Sequence, residues 1–263
     1  MNNNLGEFVA RGSEGDVYLL EKNKIIKFLK KDKINYLETF IFKHLDCPNI
    51  NKVLQIEISE NNLKFVQEKA DYDLAKFLNK DFKKIKRPKK LNYIKQLINA
   101  VYFLNSHNII HGDIKPHNIL LYGNILKLND FGMSKICLNE INETLNKIYT
   151  ILYRPPECNH NKYCLKSDIW ALGCTIYEIY YGKSYFKIDN NGKLYHLSSS
   201  KEKEDNLVNK IVEKMLKIEI EERISIEEVA KYFKIPDKEN KTLVIKNNLE
   251  IARDLDYNIY NIL

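Results

Sequence analysis

Within eight residues, His111-Gly112-Asp113-Ile114-Lys115-Pro116-His117-Asn118, the chain sets a carboxylate, an ammonium and an amide at fixed offsets. The carboxylate of Asp113 can orient a hydroxyl and accept its proton. The ammonium of Lys115 can neutralise a moving phosphoryl group, and the amide oxygen of Asn118 can hold a metal ion. Twelve residues after Asn118 a second carboxylate, Asp130, follows in Asn129-Asp130-Phe131-Gly132. Carboxylates, ammonium and amide at these offsets are the parts of a phosphoryl-transfer site.

The two stretches resemble the catalytic loop and the metal-binding Asp-Phe-Gly of the eukaryotic protein kinases. Choline and aminoglycoside kinases carry a similar His-Gly-Asp with Asn five residues after the Asp, so the first stretch alone leaves small-molecule kinases open. Three further marks favour the protein kinases. Tyr153-Arg154-Pro155-Pro156-Glu157 resembles the end of the activation segment in cyclin-dependent and mitogen-activated kinases. Ser167 to Gly173 resembles the start of the helix whose Asp, here Asp168, steadies the catalytic loop, and Arg223 stands where that family pairs an Arg with Glu157. By the same resemblance, Asp113-x-Lys115 and Thr150, seven residues before Glu157, imply transfer to Ser or Thr. Arg154 in its YRPPE setting implies a preference for Pro just after the phosphoacceptor.

These groups need a scaffold to bring them together. Residues 8–30 read as three strands punctuated at Gly12/Gly15 and at Lys22-Asn23-Lys24. A glycine turn between strands lets backbone N–H groups approach phosphate oxygens that a Cβ would keep away. Residues 32–45 place Leu37, Ile41, Phe42 and Leu45 at helical spacing, and strands are expected at about 52–58 and 63–68. Leu91 to His107 is periodic enough for a buried helix delivering the Asp113 turn, and 119–121 with 125–128 form a hairpin carrying Asp130.

The resemblance therefore implies an α+β, bilobal protein-kinase fold over residues 5–235: a small β-rich N-lobe (about 5–69) with helix αC, and a larger, mostly helical C-lobe (about 71–235). Residues 236–263 form a partly helical tail. ATP and Mg2+ are the implied cofactors. Their contacts would come from Val9, Gly12, Gly15, Val17, Lys27, Glu38, the gatekeeper Gln67, the hinge residues Glu68 and Ala70, and Asp73. Asn118 and Asp130 would ligate the metal, with Asp113 and Lys115 catalytic. Lys27 would pair with Glu38 and hold the α- and β-phosphates. Three positions depart from the family pattern: Ala10 replaces a glycine, Ile25 replaces a small residue above the adenine, and Gly112 replaces an Arg. These departures are what a pseudokinase scaffold, the alternative, would draw on.

In regulated relatives the missing Arg grips a phosphorylated activation loop. With Gly112 there, phosphate on Thr144 or Tyr149 has little to hold, Lys135 being a lesser cation, so the unmodified chain is expected to be active.

The 263 residues are 44% hydrophobic and 29% charged, the composition of a folded globule. No apolar run approaches a membrane span, and MNNNLGEF lacks a leader's basic and apolar regions. Five cysteines without a C-x-x-C pair argue against disulfides or zinc and for an intracellular chain. The net charge of +7 is diffuse except at Lys80–Lys90, where seven cations face one Asp. That run suits a nucleic acid or another anionic partner, nuclear import or a lipid surface; its plain reading is a solvated loop between helices. A monomer acting on protein substrates is the expectation.

Overall fold

A computed structural model describes residues 6–11, 15–30, 36–58, 62–144, 148–196 and 206–236. Gly12 and the tail beyond residue 236 lie outside the described residues. The N-terminal half-layer is one antiparallel sheet built from β1 (Phe8–Arg11), β2 (Gly15–Glu21), β3 (Lys24–Lys30), β4 (Gln55–Ile58) and β5 (Asn62–Glu68), in the order β1-β2-β3-β5-β4. A two-residue turn, Lys22-Asn23, sets Glu21 opposite Lys24, and after a register shift between Leu19 and Glu21 Val17 lies opposite Lys27. Helix α1 (Tyr36–His44) lies against this sheet, with the Phe42 ring edge-on to Phe65 of β5 at 5.3 Å.

Below the sheet come β6 (Tyr72–Asp73), α2 (Leu74–Asp81), α3 (Arg87–Asn105), β7 (Ile109–Ile110), β8 (Ile119–Tyr122) and β9 (Ile125–Leu128). They are followed by β10 (Lys135–Ile136), β11 (Asn142–Glu143), β12 (Lys162–Tyr163), α4 (Leu165–Tyr181), the β13 (Phe186–Ile188) and β14 (Leu194–His196) hairpin, α5 (Asn206–Met215) and α6 (Ile226–Tyr232). Helix α4 is buried on almost every side, with Ile169, Trp170, Leu172, Ile176, Tyr177 and Ile179 all enclosed, so it sits at the centre of the lower half. Helix α3 packs beside it through Tyr93, Ile94, Leu97, Ile98, Val101 and Leu104, at the spacing of one helical face. The short α6 starts on a reciprocal cap, Ser225 Oγ accepting from the Glu228 N–H while Glu228 Oε2 accepts from the Ser225 N–H. Among the described residues no helix is long and apolar enough to cross a membrane.

The Lys80–Lys90 run includes a solvated connection between two helices, with Lys80, Lys83, Lys84, Lys86 and Arg87 exposed, but its ends extend into those helices. Helix α2 holds Lys80, a tight turn holds 82–84, and α3 already begins at Arg87 with Pro88 in its first turn. Phe82 and the buried Ile85 continue the apolar pattern through the cations. Several of the cations are fasteners: Lys90 Nζ donates to the Tyr180 carbonyl at 2.9 Å and Arg87 Nε to the Tyr180 hydroxyl at 3.0 Å, tying α3 to the end of α4.

Candidate active site

The Asp113 turn hangs from α4 by its backbone. The His111 N–H donates to Asp168 Oδ2 at 2.6 Å and the Gly112 N–H to Oδ1 at 3.2 Å. Burial raises the Asp168 carboxyl above its ordinary range, against the pull of these donors. His111 Nδ1 accepts from the Asp113 N–H (3.2 Å), so Nε2 carries the ring proton and donates to the Asn129 carbonyl (3.0 Å). The imidazole thus spaces Asp113 from the strand end that bears Asp130. Ring contacts continue the line, from His111 to Phe131 (4.9 Å) and from Phe131 to Phe42 of α1 (5.4 Å).

Around the Asp113 carboxylate the polar groups converge. Oδ1 accepts from the Thr150 N–H (3.0 Å) and hydroxyl (2.8 Å), and Oδ2 from Lys115 Nζ (2.6 Å) and Asn118 Nδ2 (3.0 Å). Lys115 Nζ also reaches Thr150 Oγ1 at 2.7 Å. A hydroxyl here therefore sits between a base and a cation, the setting that general-base assistance of phosphoryl transfer requires. Asn118 Nδ2 is held twice on Asp113, by the carboxylate and by the main-chain carbonyl at 2.9 Å, so Oδ1 is the atom it can offer a cation.

Above this turn, Lys27 Nζ lies 2.7 Å from Asp130 Oδ1 and 3.7 Å from Glu38 Oε1. Glu38 is only 1% exposed and also accepts from the Phe131 N–H at 3.3 Å, which fixes α1 against the Asp130 turn. Asp130 has φ of +68°, a conformation that Asp tolerates better than most residues. Asp130 and Asn118 are hard oxygen donors suited to Mg2+. Among the described residues no group of three His, Cys, Asp or Glu could hold a metal unaided, so a cation here would draw its remaining oxygens from phosphates and water. The residues present fit a magnesium nucleotide in that sense.

The other expected nucleotide contacts are spread along the sheet and the segment after it. Gly15 faces the β3 backbone so closely that a Cβ would lie 1.8 Å from the Phe28 carbonyl oxygen. Val9 is exposed, at the register shift between β1 and β2. Ile25 pairs opposite Gln67. Gln67 is buried, its Nε2 3.4 Å from Asn129 Oδ1, which Asn51 Nδ2 shares at 3.0 Å. The Tyr122 hydroxyl lies 3.1 Å from both Asn51 Oδ1 and the Glu68 carbonyl, and burial pushes that phenol up to about 12. Ala70 is half-buried, and Asp73 caps α2 by accepting from the Lys76 N–H at 2.8 Å. Sequence reasoning missed Asn51 and Tyr122, whose partners lie far away in the chain.

The segment after Asp130 is pinned at two places. Arg223 forms a two-pronged ion pair with Glu157, Nη1 to Oε1 at 2.7 Å and Nη2 to Oε2 at 2.9 Å, and both residues are buried. Arg154 donates through Nε and Nη2 to the Tyr149 carbonyl at 3.1 and 2.8 Å. Tyr149 corrects the sequence expectation: it is 3% exposed, with its hydroxyl donating to Asp168 Oδ1 at 2.8 Å, and is not presented for phosphorylation.

A family model described as "Protein kinase domain" matches residues 4–233. The chain is 32% identical over 187 residues to Calcium-dependent protein kinase 6 of Plasmodium berghei (strain Anka), an alignment covering 64% of this chain and 12% of that protein. It is 33% identical over 216 residues to Cyclin-dependent kinase-like 2 of Homo sapiens, covering 74% of this chain and 42% of that protein. The chain therefore spans less than half the length of either relative.

Proposed function

The chain belongs to the protein kinase family, and on that premise we propose that it transfers the γ-phosphate of ATP to Ser and Thr hydroxyls of protein substrates, with no need for a phosphate on its own activation segment. The observation that carries this reading is the cluster at Asp113, where Lys115, Asn118 and the Thr150 hydroxyl already converge on one carboxylate in the unmodified chain. Magnesium ATP would supply the phosphoryl group and a nucleoside diphosphate leaving group. Asp113 orients the acceptor hydroxyl and takes its proton, and Lys115 offsets the charge of the transferred group. Lys27, steadied by Glu38, holds the α- and β-phosphates, while Asn118 and Asp130 would hold the cation. Positioning and fixed charge account for the rate enhancement, without a covalent enzyme intermediate.

The Tyr149 backbone supports a substrate preference. By the resemblance of the YRPPE segment to cyclin-dependent and mitogen-activated kinases, the peptide residue after the acceptor hydroxyl would pass the Tyr149 carbonyl, which Arg154 already occupies twice. A peptide N–H at that point loses an acceptor, whereas proline has no N–H to satisfy. We therefore expect selection for Pro immediately after the phosphoacceptor. A peptide array should show it for the parent and lose it for Arg154→Ala; no enrichment in the parent would remove the idea.

Incubation with labelled ATP, magnesium and generic protein substrates tests the activity itself, run beside Asp130→Asn. Label in proteins with the parent and none with the variant supports the kinase reading. No transfer and no nucleotide binding by the parent would favour a pseudokinase, and label on a small metabolite alone would favour a small-molecule kinase.

A further inference from the structure

Asp168 gathers three donors onto two oxygens deep in the fold. Oδ2 takes the His111 N–H, and Oδ1 takes both the Gly112 N–H and the Tyr149 hydroxyl. The first two belong to the turn bearing Asp113, and the third to the segment bearing Thr150. One buried carboxylate therefore joins the halves of the site that must meet around an acceptor hydroxyl. The Tyr149 main chain repeats the join, its N–H donating to the Gly112 carbonyl at 2.7 Å and its carbonyl held by Arg154. Its φ of +64° is a left-handed conformation that an aromatic residue keeps only under constraint. Burial holds the phenol well above its ordinary range, so it remains a donor at neutral pH.

Gly112 makes room for this arrangement. Its φ is +79°, and a Cβ would lie 2.4 Å from the Met133 carbonyl oxygen, so a side chain here would be strained and would force this backbone to shift. A cation beside Asp113 and a phosphate to meet it are thus replaced by a neutral phenol on a shared carboxylate.

We propose that Tyr149 is a positioning residue for phosphoryl transfer: through Asp168, its buried hydroxyl locks the Thr150 segment to the Asp113 turn in the unmodified chain. The proposal rests on the kinase reading above. A phenol that merely filled space would leave turnover intact when replaced by Phe, because the ring is kept and only the hydroxyl is lost.

The test compares phosphatase-treated parent, its unmodified state verified by mass spectrometry, with Tyr149→Phe, and with Thr144→Ala as a control outside the lock. Losing a hydrogen bond to a charged group should lower kcat of Tyr149→Phe about tenfold or more, with the KM for ATP within about twofold of the parent. Thr144→Ala should keep the parental rate. Parental kcat in a folded Tyr149→Phe overturns the proposal while leaving the kinase reading intact. Absence of transfer by the parent overturns both. Should Tyr149→Phe not fold, the parent alone decides: equal rates before and after autophosphorylation support the lock, and activation by about tenfold or more on phosphorylation overturns it.

Discussion

At Asp113 the two carboxylate oxygens are divided between tasks, Oδ1 facing the Thr150 hydroxyl and Oδ2 facing Lys115 and Asn118. The residue lies in a turn and is outside the apolar core, so its side chain can be removed without leaving a cavity. Asp113→Ala should lower kcat by roughly 10² to 10⁴, the usual worth of a positioned acid–base group, with the melting temperature little changed. Lys27→Ala should lower kcat similarly, but it also removes the cation beside the buried Glu38 carboxylate, so its melting temperature should fall where that of Asp113→Ala does not. Near-parental turnover in Asp113→Ala, read from steady-state peptide phosphorylation, would remove Asp113 from the chemistry.

Between elements, the buried Arg223–Glu157 pair joins the loop before α6 to the segment before α4, and Ser167 Oγ adds a hydrogen bond to Glu157 Oε1 at 2.7 Å. Arg223→Ala leaves Glu157 charged and buried, so a loss of about 3–5 kcal/mol is expected in denaturant unfolding. A change under about 1 kcal/mol would mean that water reaches the site. Helix α4 carries a second buried charge of different consequence. The folded Asp168 carboxyl is raised above its ordinary value, so the folded chain holds this proton more tightly than the unfolded one. Its contribution to stability is present at low pH and is lost as pH rises through the folded value. Protonation nevertheless sets an O–H against groups that need an acceptor, His111 N–H, Gly112 N–H and Tyr149 O–H. As pH falls toward the ordinary carboxylate range, activity should decline before the fold does, and coincident loss of rate and circular dichroism would contradict this.

For the whole molecule, a ligand that binds the folded state alone raises stability by mass action, about 2.7 kcal/mol at a hundredfold excess over Kd. Magnesium ATP should therefore raise the melting temperature of the parent, and Asp130→Asn should lose the magnesium-dependent part of that rise; an unmoved transition in the parent would contradict nucleotide binding. Much of the architecture was legible because it is written locally. The Asp113 turn, the β8–β9 hairpin and the periodic core of α3 each depend on residues near in sequence. The beginning of α3 was hidden by its cations, of which Lys90 lies over the Phe82 ring and Lys90 and Arg87 both hold Tyr180. The β13–β14 hairpin was overlooked although Asn191-Gly192 is a turn signal, Gly192 having φ of +79°. The inward direction of Tyr149, and the Tyr122–Asn51 contact between residues 71 apart, depend on partners that only the folded chain brings near.

The missing space at Gly112 bears on how this chain could ever be placed under another kinase's command. An arginine there would bring its first side-chain carbon to 2.4 Å from the Met133 carbonyl oxygen, so the cation that would read a phosphate can enter only with a shift of this backbone. An engineer seeking a switchable version must first redraw the turn at Met133 and only then introduce the charge.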